Sequence, residues 1–494
     1  MLFTSWQYLA FLALICAFYY LLPQKLRWVL LLAASYYFYM QWNAPLVLLI
    51  MASTLVSYGA ALLISRTQST ALRRLFLWLG AGFHLAALFY FKYFNFFARN
   101  LSTALRLAGI SGLSFERDIL LPVGISFYTF QTLSYIVDVY RGKYPAQRHL
   151  GHYALYVSFF PQLVAGPIER AGNLLGQLRA PHTARPENFS CGLRMICWGF
   201  VKKVWLADVL ARYADSIFSE AALGNFTPMG ALLAAVMFAF QLYCDFSAYS
   251  DIAIGSALLL DIRLTENFRA PFFARSTREL WRRWHITLSS WLTDYVYIPL
   301  GGSRVSLPRH IFNLLFTFLL SGLWHGANWS FVFWGLWNGT LIVLDLAVIP
   351  SRERLERRLP VYPRRALQAL ETAVTFALFC AGMLFFRTQS LRLGAIMLAA
   401  VPGAFVHPAL QFREALTALG LWATPQGNWL AVCLAALLIH DFLHWRTERE
   451  PWTLLSRCRA PLRAVLSYAV AAAALAALLM QPDGVAVEFI YFQF

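Results

Sequence analysis

Residues 312–349 read FNLLFTFLLSGLWHGANWSFVFWGLWNGTLIVLDLAVI, and the fold turns on how this run is read. It is almost wholly apolar, yet His325 sits near its middle. A bilayer core about 30 Å thick takes about 20 helical residues to cross, so the run is long enough for two crossings joined by a tight turn. Gly322, Gly326 and Asn328, clustered around the histidine, mark that turn. At about 1.5 Å per residue from Phe312, His325 lies roughly 20 Å into the membrane. An ionisable group at such depth is costly and points to a functional site. A histidine hydrogen-bonded inside a helix bundle is the other reading of the same pattern.

Composition carries this reading to the whole chain. Of 494 residues, 59% are hydrophobic and 13% charged, with a mean hydropathy of +0.56. A soluble chain of this size cannot hide so much apolar surface, whereas a polytopic helical membrane protein can. The formal net charge is +17. Most of the arginine lies between apolar runs, so the charge reads as membrane topology and no nucleic-acid partner is expected. The seven cysteines are scattered without a CxxC pair, which indicates neither a disulfide framework nor a zinc site. Residues 5–22 lack a basic lead-in and a convincing cleavage site, and are read as a retained span.

Outward from the central pair, spans are expected at 5–22, 26–41, 44–65, 75–97, 119–140, 190–210, 229–260, 367–386, 428–445 and 464–480. The loops with Lys25 and Arg27, and with Arg66, Arg73 and Arg74, belong to the cytoplasm, which sets the N-terminus outside. Residues 98–118 form an outer connection. Pro122 and Gly124 suggest a late-starting helix in 119–140. Residues 153–168, YALYVSFFPQLVAGPI, are short and broken by Pro161, Gly166 and Pro167, which suits a re-entrant segment. Loops 263–283 and 350–365 each carry six Arg against two Glu and are cytoplasmic. Residues 281–300 combine Trp281, Trp284, Trp291, Tyr295 and Tyr297 with two Arg and Asp294, and read as an amphipathic helix at the cytoplasmic interface. Residues 394–406 are apolar but short. The expectation is an all-α polytopic protein with 11 or 12 spans plus re-entrant and interfacial pieces, in one domain over 1–494.

Several polar residues lie where the membrane should be. Asp245, in YCDFSAYSDIAIG, lines a substrate or proton path or fixes helix packing. His285 sits in the interfacial segment beside Arg282 and Arg283. His440 and His444 are four apart on a helix, but no third ligand is near in sequence, so no metal is expected. The basic clusters at 263–283 and 352–365 suit anionic lipid or a phosphorylated donor, or topology alone.

GLWHGANWSFVFWGLWNG (322–339) resembles the hallmark of the membrane-bound O-acyltransferases. WRRWHITLSSWLTDYVYIPLGGSR (281–304), YCDFSAYSDIAIG (243–255), LPVGISFYTFQTLSYIVDVYRG (121–142) and FFPQLVAGPIER (159–170) are similar to its bacterial alginate O-acetylation branch, as is FIYFQF (489–494). The resemblance covers most of 1–350 and the last few residues, while 387–470 carry little of it. It implies a ring of tilted helices around a tunnel joining the two membrane faces. It also implies His325 as the catalytic histidine and His285 as a second essential one.

Such chemistry needs a base, because a hydroxyl is a poor nucleophile at neutral pH. A buried neutral imidazole takes its proton as it attacks a thioester, an effect worth about 10²–10⁴ in rate. His325 is accordingly expected to be the general base or a transient acyl carrier. His285 is expected to position the donor or stabilise the oxyanion. Arg282 and Arg283 suit the phosphates of acetyl-coenzyme A, the expected donor, and no bound cofactor is expected. Trp324 and Asn328 flank His325 and are expected to orient it. The expected setting is a bacterial inner membrane. The expected partners are lipid, the donor, and a polysaccharide acceptor or a serine-hydrolase-like (SGNH-type) extracytoplasmic acetyltransferase. D-alanyl transfer to teichoic acid, a polysaccharide transporter or flippase, and a structural subunit of an exopolysaccharide complex remain as alternatives.

Overall fold

The computed structural model describes residues 1–110, 112–479 and 489–490. All regular structure among them is helical. Of the FIYFQF motif only Phe489 and Ile490 are described, and 491–494 lie outside the described residues. Among the described residues, seven helices are long and apolar enough to cross a bilayer: Ala44–Arg66, Thr70–Leu107, Pro228–Leu259, Trp329–Arg358, Val361–Thr388, Pro425–Thr447 and Ala460–Leu479. Trp6–Leu21 and Leu391–Phe405 are apolar but shorter. The other runs read as spans at 26–41 and 190–210 are also helical, and that at 119–140 is helical from Ile125 onward. Large side chains such as Trp78, Leu79 and Leu14 stay exposed, as a lipid-facing surface allows. Pro228–Leu259 differs, with 72% of its apolar window buried inside the protein.

The described residues form two compact units. One comprises Met1–Ile196 and Ser250–Thr265. In it Val47–Arg66, Thr70–Leu88 and Ile125–Tyr140 pack through small residues, since a Cβ on Gly80 would lie 2.9 Å from the Cβ of Ala60 and 3.1 Å from Ile136. Gly124, at φ 75°, starts the last of these helices late, as Pro122 and Gly124 suggested. The segment read as re-entrant is a nine-residue helix, Leu150–Ser158, followed by turns through Gly166. Residues 153–168 are buried throughout, and their irregular backbone finds internal partners: Gln131 and Gln162 both donate to the Tyr156 carbonyl, at 2.6 and 2.9 Å.

The other unit comprises Cys197–Tyr249 and Glu266–Phe494. Its centre is the helix pair Leu307–His325 and Trp329–Arg358. The second helix is capped by Asn328, whose side chain accepts from the Ser330 amide at 2.9 Å. The two backbones nearly touch. A Cβ on Gly322 would lie 2.1 Å from the Phe331 carbonyl oxygen, and one on Gly335 would lie 2.3 Å from that of Phe318. Only glycine permits this approach.

Three boundaries differ from the sequence reading. Helix Thr70–Leu107 continues through a π-turn at Phe89–Tyr93, so the connection after it begins at 108. Residues 350–358 are not loop: the helix runs through Pro350 to Arg358, where Arg275 and Arg352 are close to Glu356 and Glu371. Residues 281–300 are not one interfacial helix. Thr277–Arg283 and Ile286–Leu292 break at Trp284 and His285, and a π-turn follows at Thr293–Tyr297. Trp281, Trp284 and Trp291 are buried because aromatic rings from distant segments cover them: Phe379 lies 5.0 Å and Phe268 5.2 Å from Trp284.

Candidate active site

His325 ends its helix, where the Gly326 amide reaches back to the Gly322 carbonyl. The side chain is 3% exposed. Trp324, Trp334 and Phe386 surround its ring edge-on, at 5.0, 5.1 and 5.4 Å. The turn is fixed by close packing, since a Cβ on Gly326 would strike the Phe331 ring at 2.2 Å. Trp324 is thus in ring contact with His325. Asn328 caps the following helix.

His285 is fully buried inside the protein. Its backbone is left-handed, at φ 45°, a conformation costly for a residue with a Cβ and found where surroundings enforce it. The enforcement comes from Asn267. Its carbonyl oxygen accepts from the Ile286 amide at 2.9 Å, and its side-chain oxygen accepts from the Thr287 hydroxyl at 2.9 Å and amide at 3.2 Å. The same side-chain oxygen lies 3.2 Å from Nδ1 of His285. An oxygen that only accepts requires the proton on Nδ1, which leaves the lone pair of a neutral ring on Nε2. Burial pushes the imidazole well below its ordinary pKa, so neutral it is. The ring packs on Phe246 at 4.7 Å and on Trp324 at 5.6 Å. Trp324 thus touches both histidines.

Two cavities that share Arg278 and Arg282 lie beside the segments that carry this pair. The first, about 390 Å³, is lined by Arg269, Arg278, Arg282, Arg283 and Arg352, with Glu279, Glu353 and Glu448. Arg282 is exposed there, while Arg283 is tied to Glu279 at 2.9 Å. The second, about 520 Å³, shares Arg278 and Arg282 and continues past Trp281, Ser289 and Ser290 to Ser321. Ser321 lies one helical turn before His325. Trp281 packs on Trp334, which packs on His325.

Asp245 has a different place. Its carboxylate pairs with Lys203 at 2.6 Å and accepts the Ile490 amide at 2.8 Å. Lys203 also meets Asp208 at 2.8 Å. The neighbouring Phe489 packs on Phe246 and Tyr249. Asp245 thus holds the chain end beside a ring that touches His285. The sequence reading passed over Lys202 and Lys203, two lysines inside an apolar run that a π-turn at Val201–Ala207 carries into the interior. It also passed over Asn267, Trp334 and Phe386.

The profile of the MBOAT, membrane-bound O-acyltransferase family, matches residues 146–356. A probable alginate O-acetylase of Azotobacter vinelandii is 42% identical over 396 residues, 79% of this chain and 76% of that protein. The peptidoglycan O-acetyltransferase of Helicobacter pylori is 35% identical over 388 residues, 73% of this chain and 71% of that protein. The teichoic acid D-alanyltransferase of Bacillus subtilis is 26% identical over 276 residues, 53% of this chain and 68% of that protein.

Proposed function

The chain belongs to the membrane-bound O-acyltransferase family, and from that premise we propose that it carries acetyl groups from cytoplasmic acetyl-coenzyme A to an extracytoplasmic polysaccharide, alginate being the first candidate. The observation that carries this reading is the pair of buried histidines flanking Trp324, with one cavity nearby lined by arginines and a second that includes Ser321. Guanidinium groups suit the phosphates of the donor. The second, more apolar cavity suits its extended thiol arm. The higher identity to O-acetylating relatives than to a D-alanyltransferase supports acetyl as the group carried.

In the proposed step, His325 takes the proton from an acceptor hydroxyl as its oxygen bonds to the thioester carbonyl carbon. The tetrahedral adduct collapses with cleavage of the carbon–sulfur bond. The leaving thiolate takes the proton back, so ester and thiol form with no net proton change. His285 holds its proton toward Asn267 and offers a lone pair at Nε2. That geometry suits accepting a hydrogen bond from substrate better than donating one to an oxyanion. The protein sits in a bacterial inner membrane with the N-terminus outside and both Arg-rich segments inside. The acetyl group passes to the polysaccharide itself or to an SGNH-type extracytoplasmic partner.

The test is complementation of a strain lacking the gene with His325→Ala, measuring polymer acetyl content and polymer export separately. Loss of acetylation with export intact is expected. Loss of export would instead mark a transporter, and retained acetylation would remove His325 from the chemistry. Labelling in intact cells checks orientation, since a single cysteine at Arg354 should resist a reagent applied from outside.

A further inference from the structure

The helix Pro425–Thr447 ends in a cluster that the acyl-transfer site does not use. His440 and His444 lie one turn apart on it. Glu448 then adopts a left-handed φ of 53° and turns the chain back, which brings Glu450 to both rings. One Glu450 oxygen lies 3.4 Å from Nε2 of His440, and the other lies 4.0 Å from Nδ1 of His444. Glu266, more than 170 residues earlier in the chain, brings an oxygen to 2.8 Å from Nε2 of His444. Single donor atoms of Glu266, His444 and Glu450 all fall within 4.8 Å of one another. The third ligand that the sequence did not offer is therefore supplied by the fold, twice over.

The surroundings are those of a ligand set. Arg269 donates to the far oxygen of Glu266 at 2.6 and 2.9 Å, which leaves the near oxygen facing His444. Asp441 lies 3.2 Å from Nδ1 of His440, which directs Nε2 toward Glu450, and Tyr243 in turn donates to Asp441 at 2.7 Å. Carboxylates that hold the far nitrogen of a histidine in this way are the usual support of metal-binding imidazoles. Two imidazoles, which give up their protons to a bound ion, and two carboxylates match a divalent transition metal in charge and in donor type.

We propose that Glu266, His444 and Glu450, completed by His440, bind a zinc-class divalent cation. This reading is independent of the acyl-transfer assignment. The ion would clamp the end of the helix to the segment 266–269. Arg269 from that segment and Glu448 from the turn both line the arginine cavity, so the clamp would brace its rim.

Tag-free protein, purified without chelator and dialysed with zinc chloride and then against metal-free buffer, is assayed for bound zinc. About one zinc per chain is expected, with tetrahedral scattering from imidazole nitrogen near 2.0–2.1 Å in X-ray absorption. Asp441→Asn, which leaves every ligand in place, is expected to weaken zinc about 10–100-fold. His444→Ala and Glu450→Gln are expected to abolish retention. Wild-type protein that keeps no zinc, or zinc whose scattering contains no imidazole, overturns the site and leaves an ion-pair network of histidines and carboxylates. The wild-type spectrum decides even if a variant fails to fold.

Discussion

The two histidines are held by opposite means. His325 ends a regular helix whose position is set by backbone against backbone, glycine to carbonyl, at Gly322–Phe331 and Gly335–Phe318. His285 sits in a break between two seven-residue helices, set by one asparagine that binds backbone, hydroxyl and imidazole together. Close packing holds a residue only as well as the whole helix pair is held. A polar clamp holds one side chain and can be removed alone. The first arrangement therefore ties function to folding, and the second separates them.

The largest effect should come from breaking the packed arrangement. Gly322→Leu or Gly335→Leu places a side chain where another backbone already stands. No rotamer relieves that, and overpacking commonly costs about 1–3 kcal/mol even where neighbours can shift. Loss of monodisperse protein after detergent extraction is the expected outcome. Normal yield and activity would show that the helix pair is looser than its geometry.

His325→Ala comes next, because it removes the proposed base and spares the hairpin. Turnover should fall by about 10²–10⁴ while yield and melting temperature stay near wild type. If His285 acts in the same step, the double change with His285→Ala should cost little more than either alone. Additive losses would place His285 outside the chemical step.

Asn267→Ala tests the clamp. It strips the acceptor from Nδ1 of His285 and from Thr287 without touching either helix pair. Losing a buried partner costs about 1–3 kcal/mol, which is about 5–150-fold if it falls on the transition state. The expected signature is a lower kcat with little change in KM, and protein that still extracts cleanly. A collapse in yield instead would mean that the clamp carries folding as well as orientation.

Asp245→Asn sharpens the comparison from a third side. Asp245 pairs with Lys203 and takes the Ile490 amide, so its expected role is anchorage of the chain end. Lys203 keeps Asp208, so the loss should be partial, about 1–3 kcal/mol. Melting temperature and activity should fall together. Wild-type stability with reduced transfer would return Asp245 to the substrate path.

How much of this was legible follows from range. The hairpin was readable because its signals are local: two apolar runs, small residues between them, one histidine in the middle. His285 was readable as interfacial, because tryptophan and arginine beside a membrane usually mean an interface, but not as buried. What buries it are Phe246, Phe268 and Trp324, on three separate segments. Asn267 lies 18 residues upstream in an arginine-rich stretch where nothing marks it. Asp245 was readable as a buried charge but not as an ion pair, because Lys203 and Ile490 reach it only through the fold.

The smallest effect separates two adjacent arginines that the sequence could not tell apart. Arg283 is committed: its Nε donates to Glu279 at 2.9 Å and its Nη1 to the Arg269 carbonyl at 3.4 Å. Arg282 is exposed, and it lines both cavities. A guanidinium in water contributes little to folding, so Arg282→Gln should leave melting temperature unchanged. A donor phosphate should feel its loss as one exposed ion pair, about 0.2–1 kcal/mol. That is about a 1.4- to 5-fold rise in KM for the donor, with kcat unchanged. The rise should shrink as salt is added, because exposed charges are screened within about 10 Å at 0.1 M. Arg283→Gln should behave differently, lowering yield before it alters KM. If Arg282→Gln leaves KM untouched at low salt while Arg283→Gln raises it, the donor phosphates lie deeper than the cavity mouth, against the residues that hold Arg283.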